Sequence, residues 1–334
     1  MLDLPPFPES APHLPLEGFS VGHGTDLEGY TGTTVILCPE GARAAAEVRG
    51  SATGTRQFDS LVAFHHIASR VHAVVLAGGS GFGLDAAGPV VSKLSGEGFG
   101  FDTGLRPVPL VPTAILFDLA FGSPSAVPDA TLSLTAMADA RSRAPGQPIP
   151  IGSVGAGTGA TVGKILGPGQ GMKGGLGFAS LSTPGGLSVA AVVAVNAFGD
   201  VRDPETGGAL AGCRTSPEGL ELAGGERVLA ALPPEFSTAW EGNTTLAVVM
   251  TNAQVDKAGL LKVCHMAFGG LYRALSPALS IFDGDLVVAL SQGGVPAHLN
   301  QVGVLAQAAV ARAIVRGVDA ADGFGILPAA KDLR

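Results

Sequence analysis

No run of lysine or arginine occurs in this chain of 334 residues, whose 20 basic and 28 acidic side chains give a formal charge of -8. Nothing in it is suited to neutralising phosphates or anionic lipid, so neither nucleic acid nor a membrane surface is an expected partner. Cysteine is scarce: Cys38, Cys213 and Cys264 are odd in number and far apart. That argues against a disulfide framework and against a paired zinc motif, and the expected setting is reduced cytoplasm. Long apolar runs are missing too. Mean hydropathy is high at +0.38, yet glycine, proline or polar residues break each run before the roughly 18 residues a spanning helix needs. The opening MLDLPPFPESAPHLPLEGF has neither the basic nor the apolar region of a secretory signal, and reads as an arm. The chain also lacks an internal repeat and a G-x-S-x-G serine elbow.

What is abundant is glycine. Fifty glycines against 14% charged residues imply many tight turns and close backbone approaches around a thick apolar core. Short β-branched runs at 33–38, 72–79, 113–119, 187–199, 244–253 and 285–291 predict strands. Between them, 83–98, 128–144, 256–275 and 299–318 predict helices, so the class is α/β or layered α+β. The last two helices are apolar on most faces, as expected for helices between a sheet and another layer or subunit, which points toward an oligomer. The polar, Gly- and Pro-rich stretch 201–241 reads as one long loop ending at Asn243-Thr244.

Three motifs compete for function. The stretch GGSGFGLDAAG (78–88) follows an apolar strand and opens a helix, and Gly81, Gly83 and Ala86 fit the dinucleotide fingerprint. It lies far into the chain, however, and no strand ending in an acid follows about 20 residues on, so a tight strand-to-helix turn is the competing reading. The histidines at 65, 66 and 72 lack a carboxylate or cysteine at ligand spacing, and His23 reads as an isolated turn residue. No metal site is expected. Third, GNTTLAVVMTNA (242–253) opens a core strand with two hydroxyls behind an asparagine. Thr244 is either a β-branched strand start or a nucleophile. If the bond before it is cleaved by its own hydroxyl through an N-to-O acyl shift, the new α-amine, of pKa about 7.7 to 8.0, serves as base for the adjacent hydroxyl.

The phrases VGHGTD, TGTTVILCPEGARAAAEVRG, GTRQFDSL, AVVLAGGSGFGLDAA, GSVGAGTGATVGK, MKGGLGFAS, VAAVVAVNAFGDVRDPETG, GNTTLAVVMTNA and FDGDLVVALS resemble, in order from about residue 20 to 318, the DmpA-type self-cleaving aminopeptidases. That family includes L-aminopeptidase/D-amidase-esterases, β-peptidyl aminopeptidases and nylon-oligomer hydrolases. The resemblance implies a single catalytic domain built as a four-layer αββα sandwich, similar in plan to the N-terminal nucleophile hydrolases. It also implies cleavage between Asn243 and Thr244 into chains 1–243 and 244–334, assembled as a homo-oligomer of processed pairs. Thr244 would be the nucleophile and Lys164 a cation close to it. Asn196 would be an amide that holds the substrate or the oxyanion, and Asp283 an acid for the nucleophile's amine or the substrate's amino group.

From the residues alone, Lys164 also fits a solvated loop, Asn196 a strand end, and Asp283 and Asp285 an Asp-Gly turn whose two acids point the same way along a strand. Relatives often carry tyrosine where this chain has Phe82. Nylon-hydrolase-like members have an acid where it has Ile281, while others place a hydroxyl residue there, and Ser280 is one position off. These departures bear on substrate preference. The expected protein is a hydrolase of small amides needing neither cofactor nor metal, with acyl transfer from the same acyl-threonine, or dinucleotide binding through the 78–88 loop, as alternatives.

Overall fold

The computed structural model describes residues 6–233 and 242–334. Fourteen strands occur in it: β1 (Ser20–Asp26), β2 (Thr31–Val48), β3 (Gly54–Arg56), β4 (Arg70–Ala77), β5 (Thr113–Ile115), β6 (Thr161–Val162), β7 (Met172–Lys173), β8 (Gly175–Ser182), β9 (Ser188–Asn196), β10 (Asp200–Arg202), β11 (Ala209–Ala211), β12 (Thr244–Ala253), β13 (Leu275–Ser276) and β14 (Leu286–Val295). The helices are α1 (Asp59–Val62), α2 (Ala87–Gly96), α3 (Ala130–Ser142), α4 (Gly225–Ala231), α5 (Lys257–Ala274) and α6 (Leu299–Asp319).

Nine strands join in the order β3-β5-β4-β2-β14-β12-β9-β8, with β1 added along β2. The long β2 divides this surface in two. Its first half pairs with β1 and β4, its second with β14, and the register with β4 shifts between Leu37 and Ala42. Gly41, at φ +84, lies inside that shift, a conformation that a side chain would oppose.

Side-chain alternation then makes four layers. One face of β9, β12 and β14 presents Val193, Val249 and Val287 to Val263, Phe268 and Ile314 of α5 and α6. The opposite face presents Val192, Val248 and Val288 to Ile36, Val74 and Leu76 of β2 and β4. The far side of those two strands, Val35, Leu37 and Val75, packs on Val90, Leu94 and Met137 of α2 and α3. The sequence is thus helix, sheet, sheet, helix, because strands buried on both faces carry near-continuous apolar runs. Among the described residues no helix is long and apolar enough to cross a membrane.

Three local expectations change. The stretch 201–241 is not one loop: β10, β11 and α4 form within it, while its residues 234–241 fall outside the described part. His23 is not in a turn but inside β1, with its Nδ1 3.1 Å from Thr34 Oγ1. Strands β1 and β8 escaped the β-branched pattern because glycine replaces side chains where helices press on them. A Cβ on Gly22 would stand 2.1 Å from Ala140 N of α3, and one on Gly177 1.7 Å from Ala313 O of α6.

Candidate active site

The central strands deliver polar groups to one end. Antiparallel pairing sets Thr244, the first residue of β12, opposite Asn196, the last of β9. Both are buried, at 2% and 0% exposure. A turn ahead of β14 supplies the third wall: Asn243 forms a bridge to Asp283. Through it Asn243 N–H donates to Phe282 O at 3.0 Å, and Gly284 N–H donates to Asn243 O at 2.7 Å. The Thr244 hydroxyl lies 2.5 Å from the same carbonyl oxygen. The carbonyl before Thr244 is therefore held from two sides. Gly284 is required here on steric grounds, since a Cβ would lie 2.7 Å from Thr244 Oγ1 and 2.7 Å from Ala52 O.

The two acids of the FDGD turn part company. Strand alternation does not govern them, because β14 starts only at Leu286. Asp283 accepts from Phe198 N–H at 3.1 Å and from the Ser280 backbone and hydroxyl at 2.9 and 2.6 Å. Asp285 accepts from Thr245 N–H at 2.6 Å and Leu279 N–H at 3.3 Å. Burial pushes both carboxyls up. Asp285 rises to about 8, with the neighbouring charge of Asp283 as the second cause, so the pair retains a proton at neutral pH.

Lys164, 6% exposed, reaches the site from the other side. Its Nζ donates to Asn196 Oδ1 at 2.9 Å and Asn196 O at 3.3 Å. Asn196 Oδ1 also accepts Thr161 N–H at 2.9 Å, and its Nδ2 donates to Phe117 O at 2.9 Å. Thr244, Asn243, Asn196, Lys164 and Asp283 are thus joined by bonds or pairing into one cluster, and Asp285 is tied to its edge through Thr245 N–H. The Asn243 carbonyl oxygen accepts from the Gly284 N–H and the Thr244 hydroxyl, whereas the Asn196 amide donates to Phe117 O. Phe82 and Ile281 stand apart, 66% and 74% exposed.

Beside the cluster a cleft of about 270 Å³ opens, lined among the described residues by Phe117, Asp118, Ala120, Phe121, Thr161, Lys164, Pro168, Gly169, Gly242, Ile326 and Leu327. Its aromatic lining is Phe117 and Phe121 rather than Phe82. Two buried charges, one lining the cleft and one behind its Phe121, have no signal in the sequence. Asp118 accepts from Gly79 N–H at 2.7 Å and Thr31 Oγ1 at 2.8 Å, and burial pushes its carboxyl up to about 6. Lys173 is fully buried with its Nζ on three backbone carbonyls, and burial brings it down to about 7. In the sequence Lys173 is only one residue of MKGGLG, since a lysine in a glycine-rich stretch ordinarily reads as solvated.

The fingerprint loop lacks the geometry of a phosphate cradle. Its Gly79 N–H is taken by Asp118, a Cβ on Gly78 would lie 2.1 Å from Asp118 Oδ2, and one on Gly83 1.9 Å from Gly78 O. These glycines serve a tight turn around a carboxylate, and an anion there would meet like charge.

Comparison with known proteins identifies the family and the fold. Residues 15–326 match the model of peptidase family S58. An uncharacterized aminopeptidase of Mycobacterium tuberculosis is 34% identical over 95% of this chain and 96% of its own length. A 6-aminohexanoate-oligomer endohydrolase of Kocuria sp. is 31% identical over 82% of this chain and 73% of its own. Among solved structures, a Burkholderia sp. beta-aminopeptidase superposes with a TM-score of 0.67 at 18% identity, covering 98% of this chain and 95% of that one. The L-aminopeptidase D-Ala-esterase/amidase of Ochrobactrum anthropi, described as a variant of the Ntn hydrolase fold, gives 0.64 at 17%, covering 92% and 85%. With the four-layer fold, the held carbonyl at Thr244 and these matches together, the chain belongs to peptidase family S58 and is a hydrolase of peptide or amide bonds.

Proposed function

We propose that the chain cuts itself between Asn243 and Thr244, and that the freed Thr244 then removes N-terminal residues from short peptides, amino-acid amides or esters. What carries this reading is the Thr244 hydroxyl 2.5 Å from a carbonyl oxygen that already receives the Gly284 N–H at 2.7 Å. In the first step Thr244 Oγ1 adds to the Asn243 carbonyl carbon and the oxygen, turning into an oxyanion, is stabilised by Gly284 N–H. A preorganised donor of this kind is worth roughly 3 to 4 kcal/mol. The C–N bond breaks, the nitrogen takes the hydroxyl's proton, and water hydrolyses the ester to leave a carboxylate on Asn243 and a free amine and hydroxyl on Thr244.

In the processed enzyme that amine accepts the Oγ1 proton as the hydroxyl attacks substrate, and returns it to the leaving amine; water then hydrolyses the acyl ester on Oγ1, releasing the acid and restoring the hydroxyl. The Lys164 ammonium, held on Asn196 Oδ1, stabilises negative charge developing nearby. Asn196 fixes Lys164 on one side and Phe117 on the other, and Asp283 holds the end of β9 through Phe198 N–H. The cleft, with Phe117, Phe121, Ile326 and Leu327, suits an apolar acyl group, and Phe82 and Ile281 at the surface act on longer substrates or on subunit contact. The three free, buried cysteines fit a cytoplasmic protein. Exposed Leu105 and Ile67, at 97% and 82%, fit an oligomer of processed pairs.

The test is intact mass under denaturing conditions for the parent and Thr244→Ala, with the N-terminal residue of any smaller chain identified. Two chains, the smaller beginning at Thr244 and both absent from the variant, are expected. A parent that stays whole on long incubation would sink the reading. Gly284→Ala should slow the cut by about a hundredfold or more through its contact with Thr244 Oγ1, an effect of the size expected when one oxyanion donor is displaced.

A further inference from the structure

Lys173 has an unusual environment for a cation. Its side chain is fully buried, and the three N–H bonds of its ammonium meet three backbone carbonyls: Gly157 at 2.9 Å, Ala160 at 2.8 Å and Gly174 at 3.1 Å. No carboxylate lies within ion-pair distance of it among the described residues; Asp118 and Asp322 act on it only from further off, and the Phe121 ring centroid is 5.2 Å away. An ammonium buried this way is costly unless every donor is used, so the group fixes whatever holds those carbonyls.

Two of the carbonyls belong to the loop that reaches the candidate site. Directly after Ala160, Thr161 donates its N–H to Asn196 Oδ1 at 2.9 Å, the same oxygen that receives Lys164 Nζ at 2.9 Å. The opposite end of the lysine is fixed as well: Lys173 pairs with Thr161 across β6 and β7, and its own N–H donates to Pro328 O at 2.8 Å, next to Leu327 of the cleft. Three donors matched to three acceptors make the loop one rigid piece, and Asn196 Oδ1 takes its position from that piece.

We propose that Lys173 is a positioning residue for the reaction. Through the 157–161 loop it places Asn196 Oδ1, and with it the Lys164 ammonium, beside Thr244. Lys173 touches neither substrate nor the reacting atoms; it acts through Thr161 and Asn196. This inference rests on Thr244 being the nucleophile.

The test follows self-cleavage by intact mass, and turnover of an amino-acid p-nitroanilide by the processed enzyme, for the parent, Lys173→Met, Lys173→Gln, Asn196→Ala and each Lys173 variant combined with Asn196→Ala. Lys173→Met keeps the length of the side chain without its donors. Lys173→Gln keeps two donors, and covers the case in which the first variant fails to fold. In variants whose melting shows a folded protein, kcat and the cleavage rate should fall about tenfold or more with KM within about twofold, as expected when a positioned group drifts. In the Asn196→Ala background, followed over days, the same Lys173 change should slow cleavage by less than about threefold. A purely structural lysine would give the same fold loss in both backgrounds, and that result, or a folded Lys173 variant with parental kcat, overturns the proposal. A parent that never cleaves and never turns over would instead overturn the nucleophile reading, which separates the two failures.

Discussion

Two glycine-rich loops in this molecule each wrap a buried charge, with opposite consequences. The 78–88 loop offers its Gly79 N–H to the Asp118 carboxylate, and its glycines leave room for that carboxylate and for their own turn. The 155–164 loop offers carbonyls to the Lys173 ammonium and sends Thr161 N–H and Lys164 onward to Asn196. Asp118 stands between them: a Cβ on Gly159 would lie 2.7 Å from its Cβ. A loop whose donors are satisfied internally is closed to ligands, whereas one whose acceptors are satisfied internally still has donors to spend on a site. The polarity of the enclosed charge, rather than the glycine content, decides which loop has chemistry.

The largest expected effect is on stability in the first loop. Gly83→Ala forces a Cβ to 1.9 Å from Gly78 O, and backbone must move, which should destabilise by about 3 kcal/mol, the upper end of ordinary overpacking. Gly81→Ala meets nothing within 4 Å and should stay within about 0.5 kcal/mol of the parent. Urea denaturation midpoints of the two variants check this, and a harmless Gly83→Ala would mean that the turn is not the reason for its glycines.

Rate separates the loops next. Gly157→Ala places a Cβ 2.2 Å from Leu176 N and displaces a carbonyl that Lys173 holds. Compared at equal folded fraction, its self-cleavage should be about tenfold slower or more, since misplacement of about an ångström has that effect on catalysis. Folded Gly83→Ala should cleave at close to the parental rate. Equal slowing in both would erase the distinction drawn between the loops.

How far this was legible in the sequence follows from where each signal sits. Strands β4, β9 and β12 and helices α5 and α6 carry local periodicity, so their runs could be read directly. Strands β1 and β8 could not, because Gly22 and Gly177 answer to α3 and α6, which lie far along the chain. Thr244, Asn196, Lys164 and Asp283 came from motif resemblance, and they do converge spatially. Asp285 was expected to share the direction of Asp283, but the turn before β14 separates their partners. Lys173 and Asp118 have no sequence signature, since a buried charge is defined by partners that only tertiary structure assembles: Gly157 and Gly174 for the one, Thr31 and Gly79 for the other.

The enclosed charges also give opposite dependence on pH. Burial raises Asp118 to about 6, above its unfolded value of about 3.9. Between roughly pH 4 and 6 the folded state binds more protons, so this group makes stability fall as pH rises. Burial lowers Lys173 to about 7, below its unfolded value of about 10.4. Between roughly pH 7 and 10 the unfolded state binds more protons, so this group makes stability rise with pH. Asp118→Asn should flatten the acidic limb and Lys173→Met the alkaline limb, each by on the order of a few kcal/mol at about 1.4 kcal/mol per unit of pKa difference, in urea midpoints converted to free energy. A variant that changes the wrong limb would show that the charge it removes is not the one the loop encloses.

The smallest expected effect is no effect at all, and it bears on the fingerprint that the first loop carries. A dinucleotide would need its pyrophosphate against free N–H groups at the loop, and Gly79 N–H is already bonded to Asp118. A bound anion would have to displace that carboxylate from a buried position, above pH 6 against its charge. Binding at millimolar ligand with a dissociation constant tenfold lower would stabilise by about 1.4 kcal/mol, easily visible as a shift in melting temperature. With millimolar NAD, FAD or inorganic pyrophosphate at pH 7.5, no shift should appear for the parent. A shift that vanished in Gly83→Ala but survived in Gly157→Ala would place a ligand on the first loop, and would mean that Gly79 N–H leaves Asp118 to bind it.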